Sequence, residues 1–251
     1  MLRSELEQYL EGLLTPGLFR DYCPNGLQVE GRGAVKKIAT GVTASQKFLD
    51  AAIAWGADTV LVHHGYFWRG EDERVIGMKQ RRLKTLLNND VNLLAYHLPL
   101  DAHPEFGNNA QFAKRLGIFI TGSLERGNPA AVGNIGQLAE PMSGAKFRDL
   151  ITHELKRRPL HIAGNDRPIQ TVAFCTGAAQ DDIDKAIELG ADAYLSGEIS
   201  ERTVHSAEEM GIHYFACGHH ASERYGVKSL GEHLAERFGL EVVFLDIENP
   251  V

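Results

Sequence analysis

The sequence predicts an α/β protein of two pseudo-repeated α/β units, with parallel-containing sheets facing a central metal cleft. Three observations predict it. β-branched apolar runs alternate with segments of helical period, the order that builds parallel βαβ units. The second half of the chain repeats the punctuation of the first. Histidines and carboxylates gather where the apolar runs stop, which is the edge where open α/β sheets collect ligands.

Ser4 to Glu7 has the Ser-x-x-Glu form of a capping box, and Leu6, Tyr9, Leu10 and Leu13 recur at helical spacing. The chain should open with an amphipathic helix that Thr15-Pro-Gly17 ends. Residues 21–29 are turn-rich, with Pro24 and Gly26 as breakers, and read as a loop leading into a sheet. Residues 37–43 form a strand, 45–55 a helix and 58–63 a second strand, hence a parallel pair. Thr59 to Val62 is apolar on both faces, as a strand covered on both sides requires. His63 and His64 end it. Adjacent strand residues point to opposite faces, so both can serve one site only if the alternation stops at His63-His64-Gly65. A loop over 65–77 carries Tyr66, Phe67 and Trp68, read as core side chains rather than as the stacking wall of a purine pocket. A helix over 79–89 and a strand over 91–96 lead to His97-Leu-Pro-Leu-Asp101, and 108–116 is a further helix whose Asn108-Asn109 start reads as a cap.

The second half follows the same plan. Thr171-Val-Ala-Phe-Cys-Thr-Gly177 echoes Lys37-Ile-Ala-Thr-Gly41, and Gly190-Ala-Asp192 echoes Gly56-Ala-Asp58. Gly197 and Glu198 occupy the positions of His63 and His64. Ile212 to Cys217 leads to His219 as the earlier strand leads to His97. His97 to Asp101 and His219 to Glu223 are both four residues, and a glycine follows sixteen residues later in each copy. The domain reading is therefore a first α/β half at 1–122, a linker or insertion at 123–168 and a second α/β half at 169–251.

Net charge is −7 and no basic block exceeds Lys79 to Lys84, which weighs against a dedicated nucleic-acid binder. The N-terminus lacks an apolar leader core, and no run approaches the roughly 18 apolar residues of a membrane span, so a cytoplasmic protein without membrane partners is expected. Cys23, Cys175 and Cys217 are too scattered for a disulfide framework or a metal knuckle and read as buried thiols.

His63, His64, His97, Asp101, His219 and Glu223 follow strand ends and offer mixed imidazole and carboxylate donors. Such a set suits divalent first-row ions in hydrolytic chemistry. His219 and Glu223 are spaced to share one helical face, with Glu223 placed to bridge two ions. His103, His153, His161, His205 and His213 have no partner at useful spacing and read as structural or exposed.

Asn25-Gly-Leu-Gln-Val, Gly41-Val-Thr-Ala-Ser, Val62-His-His-Gly-Tyr-Phe-Trp, His97-Leu-Pro-Leu-Asp-Ala-His-Pro, Gly107-Asn-Asn and Gly218-His-His-Ala-Ser-Glu closely resemble the bacterial YbgI branch of the Nif-three-like proteins, the GTP cyclohydrolase I type 2 homologues. The resemblance covers essentially the whole chain. It implies two divalent metal ions per chain (Zn, Mn, Fe, Ni or Mg), held by His63, His64, Asp101, His219 and Glu223 with Glu223 bridging. It also implies a toroidal homohexamer, a trimer of dimers. His97 is not a ligand in that set, and its place is beside the ligands as a proton donor or substrate contact. The activity implied is a metal-dependent hydrolase acting through a metal-bound hydroxide on a nucleotide or phosphoester, with His97 and Glu223 catalytic. In its narrowest form it opens the guanine ring of GTP toward dihydroneopterin triphosphate. No Gly-x-x-x-x-Gly-Lys-Ser/Thr loop is present, so the side chains that would hold a triphosphate are unassigned. The alternative reading is a metal-stabilised ring that binds or regulates, engaging a protein partner or single-stranded nucleic acid; the sequence pI of about 5.9 weighs against nucleic acid.

Overall fold

The computed structural model describes residues 1–251. In chain order the elements are α1 (Arg3–Leu14), β1 (Gly26–Val29), β2 (Lys37–Thr43), α2 (Gln46–Trp55), β3 (Thr59–His64), α3 (Gly77–Asn88), β4 (Asn92–Ala95), α4 (Leu98–Ala102), α5 (Asn108–Leu116), β5 (Ile118–Ser123), β6 (Asn134–Met142), α6 (Gly144–Leu155), β7 (Leu160–Ile162), β8 (Ile169–Cys175), α7 (Ile183–Glu188), β9 (Ala193–Ser196), α8 (Glu201–Met210), β10 (His213–Ala216), α9 (His219–Phe238) and β11 (Glu241–Phe244). They form a mixed α/β structure with two sheets. One compact unit comprises Met1–Leu100 with Gly226–Glu248, and the other comprises Asp101–Tyr225 with Asn249–Val251.

In the first unit the sheet order is β1-β4-β3-β2-β11. β2, β3, β4 and β11 run parallel, and β1 closes one edge antiparallel to β4. Ser45 caps α2 by accepting from the Phe48 amide at 3.3 Å, so α2 lays Phe48, Leu49 and Ala52 on the sheet beside Val60, Val62 and Leu93. In the second unit the order is β5-β6-β8-β9-β10-β7, with β8, β9 and β10 parallel and the flanking strands antiparallel. Phe147, Phe174 and Phe215 fill the core on one side of this sheet, and Tyr194 and Tyr214 the other.

The repeat has a physical counterpart. β2-β3-β4 and β8-β9-β10 share order and direction. Asp58 Oδ2 accepts from the amides of Lys36 and Lys37 at 2.8 and 2.9 Å, and Asp192 Oδ2 accepts from those of Gln170 and Thr171 at 3.1 and 2.9 Å. The carboxylate that follows each Gly-Ala pair thus ties down the start of the neighbouring strand, where backbone amides have no ladder partner. Strand register sets Thr59 equivalent to Ala193 and Asn92 equivalent to His213. Counting on from these pairs, Gly197 and Glu198 do fall at the positions of His63 and His64. Gly218, however, stands in the place of His97. Asn92 to Asp101 is nine residues and His213 to Glu223 ten, so the equal spacing that begins at His97 and His219 does not extend back into the strands.

Other expectations change as well. Ser4 is not the first cap; α1 starts at Arg3 and the Leu2 amide donates to Glu5 at 2.8 Å. Residues 123–168, read as a linker or insertion, contribute β6 and β7 to the second sheet and the helix α6 between them. β1 forms inside the segment read as a loop, and β11 was not foreseen. All three cysteines are buried thiols, as expected. No helix is long and apolar enough to cross a membrane.

Candidate metal centre

In the first unit β3 delivers His63 and His64 at its carboxyl end, and the segment after β4 delivers His97. The rings of His63 and His64 lie 4.5 Å apart between centroids, so the strand's alternation does stop there. One ring nitrogen from each of His63, His64 and His97 falls within 4.8 Å of the others. His63 is fully buried, and its Nδ1 sits 3.0 Å from the Tyr96 carbonyl. A carbonyl only accepts, so Nδ1 carries the hydrogen and Nε2 the lone pair. His64 Nδ1 is 3.2 Å from Thr43 Oγ1, and His97 Nδ1 is 2.7 Å from Asp21 Oδ1. Burial alone would raise the Asp21 carboxyl, but the hydrogen bond and charge of His97, with Asn25 and the Tyr22 amide, bring it down to about 2.

The loop after His64 divides the three aromatic residues. Tyr66 is core, with its hydroxyl donating to the Ala44 carbonyl at 2.7 Å. Phe67 takes a left-handed φ of 64° and turns outward, and Trp68 sets its ring edge-on to His97 at 5.0 Å. The core reading therefore holds for Tyr66 alone. Gln28 fastens this loop, accepting from the Tyr66 amide at 2.7 Å.

In the second unit α9 presents His219 and Glu223 on one face, with His219 Nε2 3.0 Å from Glu223 Oε2. Nδ1 of His219 lies 2.7 Å from Glu198 Oε1. Burial would lower the His219 imidazole, yet the hydrogen bonds and charges of Glu223 and Glu198 raise it to about 9. Glu223 is buried. Gly177, at φ 75°, lets the backbone run against it: a Cβ there would stand 2.2 Å from Glu223 Oε1. Asp101 is buried at the end of α4, where Asn108 Nδ2 donates to its Oδ1 at 2.8 Å and Asn109 Nδ2 donates to its carbonyl at 3.2 Å. Asn109 in turn accepts from the Thr176 amide at 3.0 Å.

The structure thus gathers His63, His64 and His97 in the first unit and His219 with Glu223 in the second, with Asp101 fixed separately in the second. The first could hold a metal ion, and the second offers an imidazole and a carboxylate of the same donor type. In each, a histidine is tied through Nδ1 to an acceptor, the arrangement that orients Nε2 toward a metal. Sequence reasoning missed the residues that do the tying. Asp21 carries no mark in the sequence beyond its turn-rich surroundings, Asn25 reads as part of a turn, Glu198 only as the counterpart of His64, and Asn108-Asn109 as a helix cap. Only the motifs Asn25-Gly-Leu-Gln and Gly107-Asn-Asn hinted at them.

Of the remaining histidines, His213 is buried in β10 with its Nδ1 3.1 Å from His161 Nε2. His103 accepts from the Phe106 amide at 3.0 Å. His153 is exposed beside Glu154.

The DUF34/NIF3 model, described as Duf34/NIF3 (NGG1p interacting factor 3), matches residues 1–250. The chain belongs to the DUF34/NIF3 family. A Pseudomonas aeruginosa member named GTP cyclohydrolase 1 type 2 homolog is 57% identical over 249 residues, covering 99% of this chain and 97% of the relative. An Escherichia coli member of the same name is 52% identical over 252 residues, covering 100% of each. Among solved structures, the family protein ybgI, described as of unknown function, superposes with a TM-score of 0.96 at 50% identity over 100% of both chains. A Thermus thermophilus protein gives 0.91 at 33% identity, again over 100% of both chains. The DUF34/NIF3 fold is therefore the fold of this chain throughout its length.

Proposed function

We propose that this DUF34/NIF3 protein is a metal-dependent hydrolase of a nucleotide or phosphoester, with His63, His64, Asp101, His219 and Glu223 holding two divalent ions and Glu223 bridging them. One observation carries the reading. His63 engages a backbone carbonyl and His219 a carboxylate through Nδ1, which leaves Nε2 as the nitrogen free to ligate. The buried Asp101 and Glu223 add two carboxylates to the imidazoles, a mixed donor set suited to first-row divalent ions.

Bound ions of this kind supply Lewis acidity and lower the pKa of a coordinated water to about 7. The chain's own residues do the rest. Asn108 holds Oδ1 of Asp101, which orients the other carboxylate oxygen for ligation. Glu198 holds His219 by Nδ1, so His219 must shed its Nε2 proton when it ligates, and loading releases protons. His97 stands next to His63 and His64 with Nε2 as its remaining acceptor and takes up the proton that hydrolysis liberates.

The names of the relatives support GTP as the first substrate to test. Metal-stripped protein is reloaded separately with Mn²⁺, Zn²⁺, Fe²⁺, Ni²⁺ and Mg²⁺, and loss of purine absorbance is followed beside Glu223→Gln. Metal-dependent loss that the variant abolishes supports the cyclohydrolase form. Turnover of another nucleotide or phosphoester supports the broader hydrolase. No turnover of any of them, in protein shown to hold two ions per chain, rejects the enzymatic reading. The same proposal carries a homohexamer; Phe119 and Ile120, exposed on the sheet-edge strand β5, offer an apolar surface for self-association. Light scattering should give about six times the 27.7 kDa chain mass.

A further inference from the structure

His97 is held by a residue that lies outside the repeat. Asp21 precedes β1 in the turn-rich segment, its side chain 4% exposed, and four donors converge on its two oxygens. The Tyr22 amide and His97 Nδ1 reach Oδ1 at 2.6 and 2.7 Å, while Asn25 Nδ2 and the Leu98 amide reach Oδ2 at 2.8 and 3.0 Å. Asn25 Oδ1 in turn accepts from the His97 amide at 2.8 Å. Ring and backbone of His97 are thereby fixed together.

The same cluster includes Cys23, whose sulfur lies within 4.8 Å of donor atoms of Asp21 and His97. A metal site is the obvious rival reading. Two facts oppose it. The Asp21 oxygens already accept four hydrogen bonds, about the number of lone pairs a carboxylate has. Burial and the Asp21 charge push the Cys23 thiol up to about 12, so a metal there would have to displace a firmly held proton. The cluster is arranged to orient an imidazole.

We infer that Asp21 is a positioning residue that sets the His97 tautomer, placing hydrogen on Nδ1 and leaving Nε2 as the proton acceptor beside His63 and His64. An ionised carboxylate can only accept, so the ring nitrogen facing it carries hydrogen whatever the charge of the ring. What Nε2 then does rests on the hydrolase reading; the tautomer does not.

The test is long-range nitrogen–proton NMR of histidine-labelled, metal-free protein at a pH where the ring is neutral, with the His97 signals assigned by their loss in His97→Gln. Wild type should show a pyrrole-type Nδ1 and a pyridine-type Nε2. Asp21→Asn should invert them. With its carbonyl oxygen at the Oδ2 position the amide still serves Asn25 and Leu98 and sets its NH₂ against one donor, the Tyr22 amide, while turning it onto His97 Nδ1 and moving the ring hydrogen to Nε2; the opposite flip would set NH₂ against two donors. In the metal-loaded protein the inversion should lower turnover about 10–100-fold with metal content unchanged, the range for residues that orient a functional histidine. Wild-type His97 protonated on Nε2, which needs no variant to observe, would overturn the inference, as would Asp21→Asn that keeps hydrogen on Nδ1. If the tautomer inverts while loaded wild type turns over nothing, positioning by Asp21 stands and the hydrolase reading falls.

Discussion

The two units share three parallel strands and the aspartate that ties each β-α-β start, yet they place their candidate ligands on different elements. In the first, the donors His63 and His64 project from the end of β3. In the second, the equivalent positions are Gly197 and Glu198, and the donors come from the start of α9. Packing explains the exchange. A Cβ on Gly197 would lie 2.6 Å from the Gly177 carbonyl oxygen and 2.7 Å from His219 Cα, so no imidazole fits where His63 stands in the other copy. Glu198, in the place of His64, becomes the acceptor that holds His219. In the first unit that supporting task falls to groups outside the strand end: the Tyr96 carbonyl, Thr43 and Asp21. A duplicated scaffold can thus keep its strands while ligand and supporter trade elements.

The strongest way to break this comparison is to make the copies alike. Gly197→His should cost about 3–5 kcal/mol or prevent folding, because the new side chain meets backbone that cannot move aside. Urea unfolding measures it, and a loss below about 1 kcal/mol would mean that α9 does not constrain the strand end. Gly177→Ala comes next. A left-handed alanine costs about 1–2 kcal/mol, and the methyl must displace Glu223, so metal content should fall as well as stability. Stability lost with metal content intact would separate Glu223 from the ligand set.

Asp58→Ala and Asp192→Ala sharpen the equivalence. Each leaves two strand-start amides without their acceptor, for about 1–3 kcal/mol, and the more buried Asp58 should lose more. If one variant were silent, the shared staple would be a coincidence of geometry. The smallest effect concerns a feature of the second unit alone. His161 stacks on Phe215 at 4.2 Å, and burial, with the nearby His213 and Arg148 charges, lowers its imidazole to about 4. Its proton therefore favours the unfolded chain, where the pKa is about 6.5. The stability it withholds is absent above pH 6.5 and grows as pH falls toward 4. His161→Phe should flatten that part of the stability profile, and an unchanged slope between pH 4 and 6.5 would assign it to other groups.

The sequence by itself determined the scaffold and the donors. Periodicity located most helices and the central parallel strands β2 to β4 and β8 to β10, because burying a face imposes its spacing on the residues that bury it. Chemistry-bearing residues at strand ends marked His63, His64, His97, Asp101, His219 and Glu223, since the end of a parallel strand is where side chains leave the packed layers. The edge strands were less legible: β1 and β11 are four residues each and take their identity from the strand they pair with, a tertiary fact. Tertiary structure alone decided which residues support the donors. Asp21 is 76 residues from His97 and Glu198 is 21 from His219, and hydrogen bonds at such separations leave no periodic trace in a chain. It also decided that Gly197 must be glycine, because the atoms that exclude a side chain there belong to a loop and a helix distant in sequence.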